Sequence, residues 1–177
     1  MNTVLNLEST PMLATWQRHT HAEFLLKDPD AALATMSDNP YVICVPTGSG
    51  GEGREGVFDF YDRQFLPAIP PDMELLPVSL VCGQDRIVEE MLARFTHSVP
   101  MDWMLPGVPP TARWVELMLV AVIGFESDKI ASEHIYWDQT TVLSQLGVLN
   151  VPSAGAGVGS ASRIRRLMSA NQSSVKK

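Results

Sequence analysis

Trp114-Val-Glu-Leu-Met-Leu-Val-Ala-Val-Ile-Gly-Phe125, Glu126-Ser-Asp-Lys129 and Ile130-Ala-Ser-Glu-His-Ile-Tyr-Trp-Asp-Gln-Thr140 decide the fold. The first and third segments have the β-branched and aromatic content of strands, and only four residues join them. Parallel neighbours need a crossover of a dozen or more residues, so the pair is antiparallel. The same reasoning applies upstream, where Gly83-Gln84 lies between the strand runs Met73 to Cys82 and Arg86 to Val99. A longer, proline-rich connection from Pro100 to Ala112 carries Asp102 and Trp103, and loops of this kind often cover a site.

The first third of the chain is helical in pattern. Leu13, Trp16, Thr20 and Phe24 recur at helical spacing, and Asp28-Pro29 supplies a cap and a first-turn proline for a second helix continued by Leu33 and Met36. Tyr41 to Val45 reads as a strand, Thr47-Gly-Ser-Gly-Gly-Glu-Gly53 as a loop, and Val57, Phe58, Tyr61 and Phe65 as one side of a third helix. Helices first and an antiparallel sheet afterwards make an α+β layer, a cone-shaped barrel whose curved sheet wraps over the N-terminal helices. Residues 1–150 are expected to form this single domain and residues 151–177 a flexible basic tail.

Composition narrows the function. At 177 residues and 45% hydrophobic content the chain can bury one core. Its apolar runs are too short to span a bilayer, and no basic segment followed by an apolar core opens the chain, so a soluble, cytoplasmic protein is expected. The net charge is −7, and every acidic residue lies at or before Asp138, while Arg163, Arg165, Arg166, Lys176 and Lys177 follow it. An acidic body argues against a nucleic-acid partner. The basic tail is expected against that acidic body or a second subunit. Cys44 and Cys82 give neither a disulfide framework nor a metal-ligand spacing and read as buried thiols.

Gly48-Ser-Gly-Gly-Glu-Gly53 fits the dinucleotide pattern G-x-G-x-x-G, but the antiparallel strands beyond it exclude the βαβ setting that motif needs. No nucleophile elbow is present. His19 and His21 are two apart on a helix, diverge by about 200°, and are expected on the surface. His97 and His134 with Asp138 could meet in space around a metal ion, but no spacing in the sequence demands it, and no metal site is expected.

Side-chain alternation puts His134, Tyr136 and Asp138 on one face of the last strand, an arrangement suited to the polar floor of an apolar pocket. Asp138 beside Trp137 could move protons, or it could cap the turn before Val142. On the strand Arg86 to Val99, Ile87, Glu89, Met91, Ala93, Phe95 and His97 share a face that could line a cavity. His97 would stand near its mouth or bond a backbone carbonyl. Glu116 and Glu133 are expected to face solvent or pair across strands.

The segments Tyr41-Val42, Val45-Pro-Thr47, Gly50-Gly-Glu-Gly-Arg54, Phe95-Thr-His97, Asp102-Trp-Met-Leu-Pro-Gly-Val-Pro-Pro-Thr111 and Glu133-His-Ile-Tyr-Trp-Asp-Gln-Thr140, with Gln145-Leu-Gly147, resemble the SnoaL-like polyketide cyclase family, of nuclear transport factor 2-like fold. They resemble a branch whose relatives occur joined to dienelactone hydrolase (carboxymethylenebutenolidase) domains. The resemblance implies a small α+β barrel, a homodimer, a deep pocket for a small apolar organic ligand, and no cofactor. It implies cyclase or isomerase chemistry, with Asp138 at the position of the aspartate that acts as acid and base in an aldol closure. His97 and His134 become supporting catalytic candidates, and Tyr136, Trp103, Asp102, Met91 and Phe95 candidate substrate contacts. Relatives of this branch tend to carry a histidine where this chain has Cys44. The alternative is a non-catalytic ligand-binding or dimerisation module of the same fold.

Overall fold

Two capped helices open the chain. In this computed structural model, which describes residues 10–150 and 159–174, Thr10 Oγ1 accepts from Leu13 N–H at 3.2 Å to start α1 (Pro11–His21). Asp28 accepts from Ala31 N–H at 3.0 Å to start α2 (Pro29–Ala34), with Pro29 in the first turn as its missing N–H allows. Between them α1 widens into a π-helical turn, Ala22–Leu26, and Lys27 adopts φ 51°, which makes the bend. A third helix, α3 (Gly53–Phe60), ends in a second π-helical turn, Tyr61–Phe65.

Six strands form one sheet: β1 (Met36–Cys44), β2 (Ser49–Glu52), β3 (Glu74–Cys82), β4 (Arg86–Thr96), β5 (Trp114–Glu126) and β6 (Lys129–Trp137), in the order β2-β1-β6-β5-β4-β3. Strands β3 to β6 are antiparallel neighbours, as the short connections β3–β4 and β5–β6 require, and β1 runs parallel to β6. The glycine-rich segment is not a loop: Ser49–Glu52 pairs with Tyr41–Cys44 as a hairpin. Its glycines answer to crowding, because a Cβ on Gly51 would lie 2.2 Å from the Gly56 carbonyl oxygen and one on Gly50 1.9 Å from that of Val42. Close backbone approach of strand to strand and strand to α3 therefore explains the motif.

Period-two alternation divides the sheet into two faces. On β5, Val115, Leu117, Leu119, Ala121 and Ile123 point inward and are buried, opposite Phe95, Ala93, Met91, Glu89 and Ile87 of β4. Trp16, Phe60, Tyr61 and Phe65 of the helices close the core over this face. The Pro100 to Ala112 loop folds in as well, with Met101, Trp103, Met104 and Leu105 buried and Trp103 O accepting from Ser49 Oγ and Thr47 Oγ1.

Two helices follow β6: α4 (Gln139–Gln145) and α5 (Ser160–Ser174). Within the tail expected to be flexible, Ser160–Ser174 is helical, while 151–158 and 175–177 lie outside the described residues. This helix rests on the acidic body: Ser162 Oγ donates to Glu116, and Arg165 Nε lies 3.5 Å from the same carboxylate. None of the described helices is long and apolar enough to cross a membrane.

Candidate functional site

The register of β6 settles which of its side chains reach the interior. Ile123 pairs with Glu133, Ala121 with Ile135 and Leu119 with Trp137, so Glu133, Ile135 and Trp137 share the inward face. His134 and Tyr136 pair with Val122 and Val120 and face outward. The expectation that His134, Tyr136 and Asp138 line a pocket is corrected on this point, because a strand offers only one of its two residue sets to each side. His134 Nε2 lies 2.9 Å from Tyr41 Oη on the outer face, and Tyr136 is 40% exposed. Asp138 is the N-cap of α4: its carboxylate accepts from the Thr140 and Thr141 amides and from Thr141 Oγ1 at 2.6 Å. Of its two sequence readings, the cap is the one the geometry matches.

The inward set brings together a different polar cluster. His19, expected on the surface, is fully buried, and its Nε2 lies 2.8 Å from Glu133 Oε1 and 3.4 Å from Glu23 Oε1. Tyr61 Oη donates to Glu133 Oε1 at 3.1 Å and lies 3.1 Å from His19 Nε2. On the other side of the ring, Nδ1 lies 2.7 Å from Thr35 Oγ1. Thr35 spends its own proton on Ala32 O, also at 2.7 Å, so the hydroxyl accepts and Nδ1 carries hydrogen. With Glu133 on Nε2, the network assigns His19 as a doubly protonated imidazolium. Trp16 stacks on it with ring centroids 5.8 Å apart, within range of a cation–π contact.

Electrostatics agree with that assignment. Burial alone would push the His19 pKa down, but the Glu133 and Glu23 carboxylates overcome it and hold the ring well above its ordinary range. Burial raises Glu23, with His19 offsetting part of the rise. Burial and the two carboxylates raise Tyr61 and keep the phenol protonated. The carboxylates thus favour the charged form of His19, and burial favours the neutral form of Glu23. Ligand atoms of His19, Glu23 and Glu133 all lie within 4.8 Å of one another, so these three are also the described residues that could hold a metal ion.

Glu23, Tyr61 and Glu133 form the polar end of an otherwise apolar chamber of about 70 Å³ between the helices and the inner face. Trp16, Phe65, Met91, Phe95, Trp103 and Ala121 are among its walls. Met91, Phe95 and Trp103 thus stand where the sequence suggested. Cys44 also lines the chamber, with burial pushing its thiol up to about 12, which rules out a thiolate nucleophile there. His97 does not reach the chamber. It is buried, its Nδ1 lies 3.2 Å from Thr111 Oγ1, and burial lowers its pKa. Asp102 is spent on the Gly107 amide at 2.9 Å, at the surface of the loop.

The signal for the missed residues was present. Trp16, His19 and Glu23 recur at helical spacing on one side of α1, and Glu133 shares its parity with Ile135 and Trp137. Reading the helix face from Leu13 and Thr20 hid it.

No family model matches the sequence, and no curated protein matches it. Solved structures do. A candidate SnoaL-like polyketide cyclase from Jannaschia sp. CCS1 superposes with a TM-score of 0.63 at 16% identity, over 80% of this chain and 97% of that one. IdmH from Streptomyces antibioticus, a candidate polyketide cyclase, gives 0.59 at 24% identity over 78% and 99%. A hypothetical protein with a ketosteroid isomerase-like fold from Catenulispora acidiphila DSM 44928, in complex with trimethylamine, gives 0.59 at 14% over 78% and 97%. At these identities the likeness concerns architecture: the chain has the nuclear transport factor 2-like α+β cone fold, shared with SnoaL-like polyketide cyclases.

Proposed function

We propose that the protein is a cofactor-independent acid–base enzyme of the cyclase or isomerase type, acting on a small, largely apolar carbonyl compound. The observation that carries this reading is the His19–Glu133–Glu23–Tyr61 cluster at the end of an apolar chamber. Glu133, hydrogen-bonded by His19 and the Tyr61 hydroxyl, removes a proton α to the carbonyl. Glu23, whose burial favours the protonated form, delivers a proton to the carbonyl oxygen, so the enol forms without a free enolate charge in the apolar chamber. Return of that proton from Glu133 to a different carbon of the conjugated enol, with the enol hydroxyl proton going back to Glu23, gives an isomerase. Attack of the enol carbon on a second carbonyl, whose oxygen takes the proton from Glu133 while the enol hydroxyl returns its own to Glu23, gives a cyclase. His19, held by Thr35 behind the chamber, acts through Glu133 and is a positioning residue.

Hydrogen–deuterium exchange into the methyl group of acetophenone, followed by NMR, tests the proposal. The wild-type protein should accelerate exchange, and Glu133→Gln and Glu23→Gln should each remove most of the acceleration while both remain folded. No acceleration by the wild type, or equal rates in all three proteins, overturns it.

A non-catalytic ligand-binding module is the second reading, favoured by one observation: His19, Tyr61 and Glu133 already satisfy one another without a ligand. Under either reading the chain is proposed to pair with a second copy. The outer face of the sheet carries Leu76, Val88, Met118, Val120, Val122 and Tyr136, a larger apolar surface than scattered single residues.

A further inference from the structure

The chamber is too small to hold a whole ligand. Its volume of about 70 Å³ falls well short of the roughly 300–1,000 Å³ of small-molecule sites. Directly outside it lies a vestibule of about 470 Å³, between α1 and strands β3 and β4. Thr20, Phe24, Met73, Leu75 and Met91 line both spaces and form the throat between them.

The two rooms differ in chemistry. Beyond the throat the vestibule adds Gln17, His21 and Glu89, which offer an amide, an imidazole and a carboxylate. The throat itself is apolar: the Thr20 hydroxyl is turned back to the α1 backbone, 3.2 Å from both Trp16 O and Gln17 O. A dividing wall is fixed beside it, because Trp16 Nε1, on the chamber side, donates at 2.6 Å to Glu89 Oε2, on the vestibule side. Two methionines at the throat, Met73 and Met91, have the unbranched side chains best suited to moving aside for a passing group.

We propose that the vestibule is a second ligand subsite, and that the protein takes an elongated molecule whose compact apolar carbonyl head fills the chamber and whose hydrogen-bonding extension lies among Gln17, His21 and Glu89. Which end carries the carbonyl rests on the acid–base reading above. Occupation of both rooms does not.

Para-alkylacetophenones, from methyl to hexyl, and the same series ending in a hydroxyl, test this through quenching of Trp16 and Trp103 fluorescence. Affinity should climb with chain length by up to roughly fourfold per methylene while the chain crosses the throat. A terminal hydroxyl should weaken binding for short chains and stop doing so once it reaches the vestibule. Leu75→Trp, at a half-buried throat position, should abolish the length dependence. Gln17→Ala should restore the penalty of the terminal hydroxyl in the long chains. Affinity that is flat or falls with length in the wild type, no binding of any member, or a length dependence that persists in Leu75→Trp overturns the proposal. Binding is read without turnover, so Glu133→Gln, inactive in exchange, should show the same length series. Failure of the acid–base reading would leave that series intact.

Discussion

His19 Nε2 and Glu133 Oε1 meet at 2.8 Å in the interior, joining α1 to β6 through a charged hydrogen bond that no solvent screens. His19 and Glu23 both hold their protons more tightly in the folded protein than in the unfolded chain. At these two groups the folded state binds more protons, so their contribution to stability falls as pH rises, whereas His97, its pKa lowered by burial, works the other way up to about 6.5. The Glu23 contribution is whole below its ordinary value of 4.5 and erodes as pH rises through the folded value. The His19 contribution is whole below 6.5 and is lost above it in the same way. Thermal melts between about pH 7 and pH 9, above the His97 window, should show a declining Tm, and Glu23→Gln should flatten the decline. A Tm that rises over this range would contradict the cluster's protonation pattern.

Asp138 makes three hydrogen bonds at the start of α4 and none to the cluster. Asp138→Ala should cost about 1 kcal/mol in chemical denaturation, and Asp138→Asn considerably less, since Asn caps nearly as well. Exchange into acetophenone should be unchanged in both. Loss of exchange in a folded Asp138→Asn protein would instead support the role that the family resemblance implies for this residue.

Much of the sheet was legible because connection length alone dictates antiparallel pairing of β3 with β4 and of β5 with β6, and the inward face of β4 was legible from Met91, Ala93 and Phe95. Parallel pairing of β1 with β6 was not, since it joins segments far apart in sequence and no local turn encodes it. The same gap hid the site. Choosing between the two residue sets of β6 requires knowing which way β5 turns its own, and Glu133 reads as a surface residue until Ile123 is placed opposite it. Gly50 and Gly51 show the converse: a motif legible as phosphate-binding is accounted for by two backbones that approach within the reach of a Cβ.

Pairing of two chains through the outer face makes a further expectation. Val120 and Val122 stand side by side with Tyr136 and His134 on that face and take no part in the chamber. Val122→Asp should shift the protein toward monomer in sedimentation velocity, leaving the far-ultraviolet spectrum intact. A wild type that sediments as a monomer at all accessible concentrations removes the pairing proposal.

Ala121 sits fully buried on β5 with its methyl group on the chamber wall, and Ile135 of β6 is its cross-strand partner. Ala121→Leu would push three additional carbons into empty space rather than into packed core. Overpacking normally costs about 1–3 kcal/mol; here the chamber absorbs the added volume, and the new contacts offset much of that cost. Stability should change by less than about 1 kcal/mol, while acetophenone binding should fall below detection because the head group and the new side chain compete for the same space. Ala93→Leu, from the neighbouring strand β4 and also on the chamber wall, should do the same. If both variants fold and still quench with wild-type affinity, the ligand does not enter between helices and sheet, and the carboxylates behind that wall serve the fold alone.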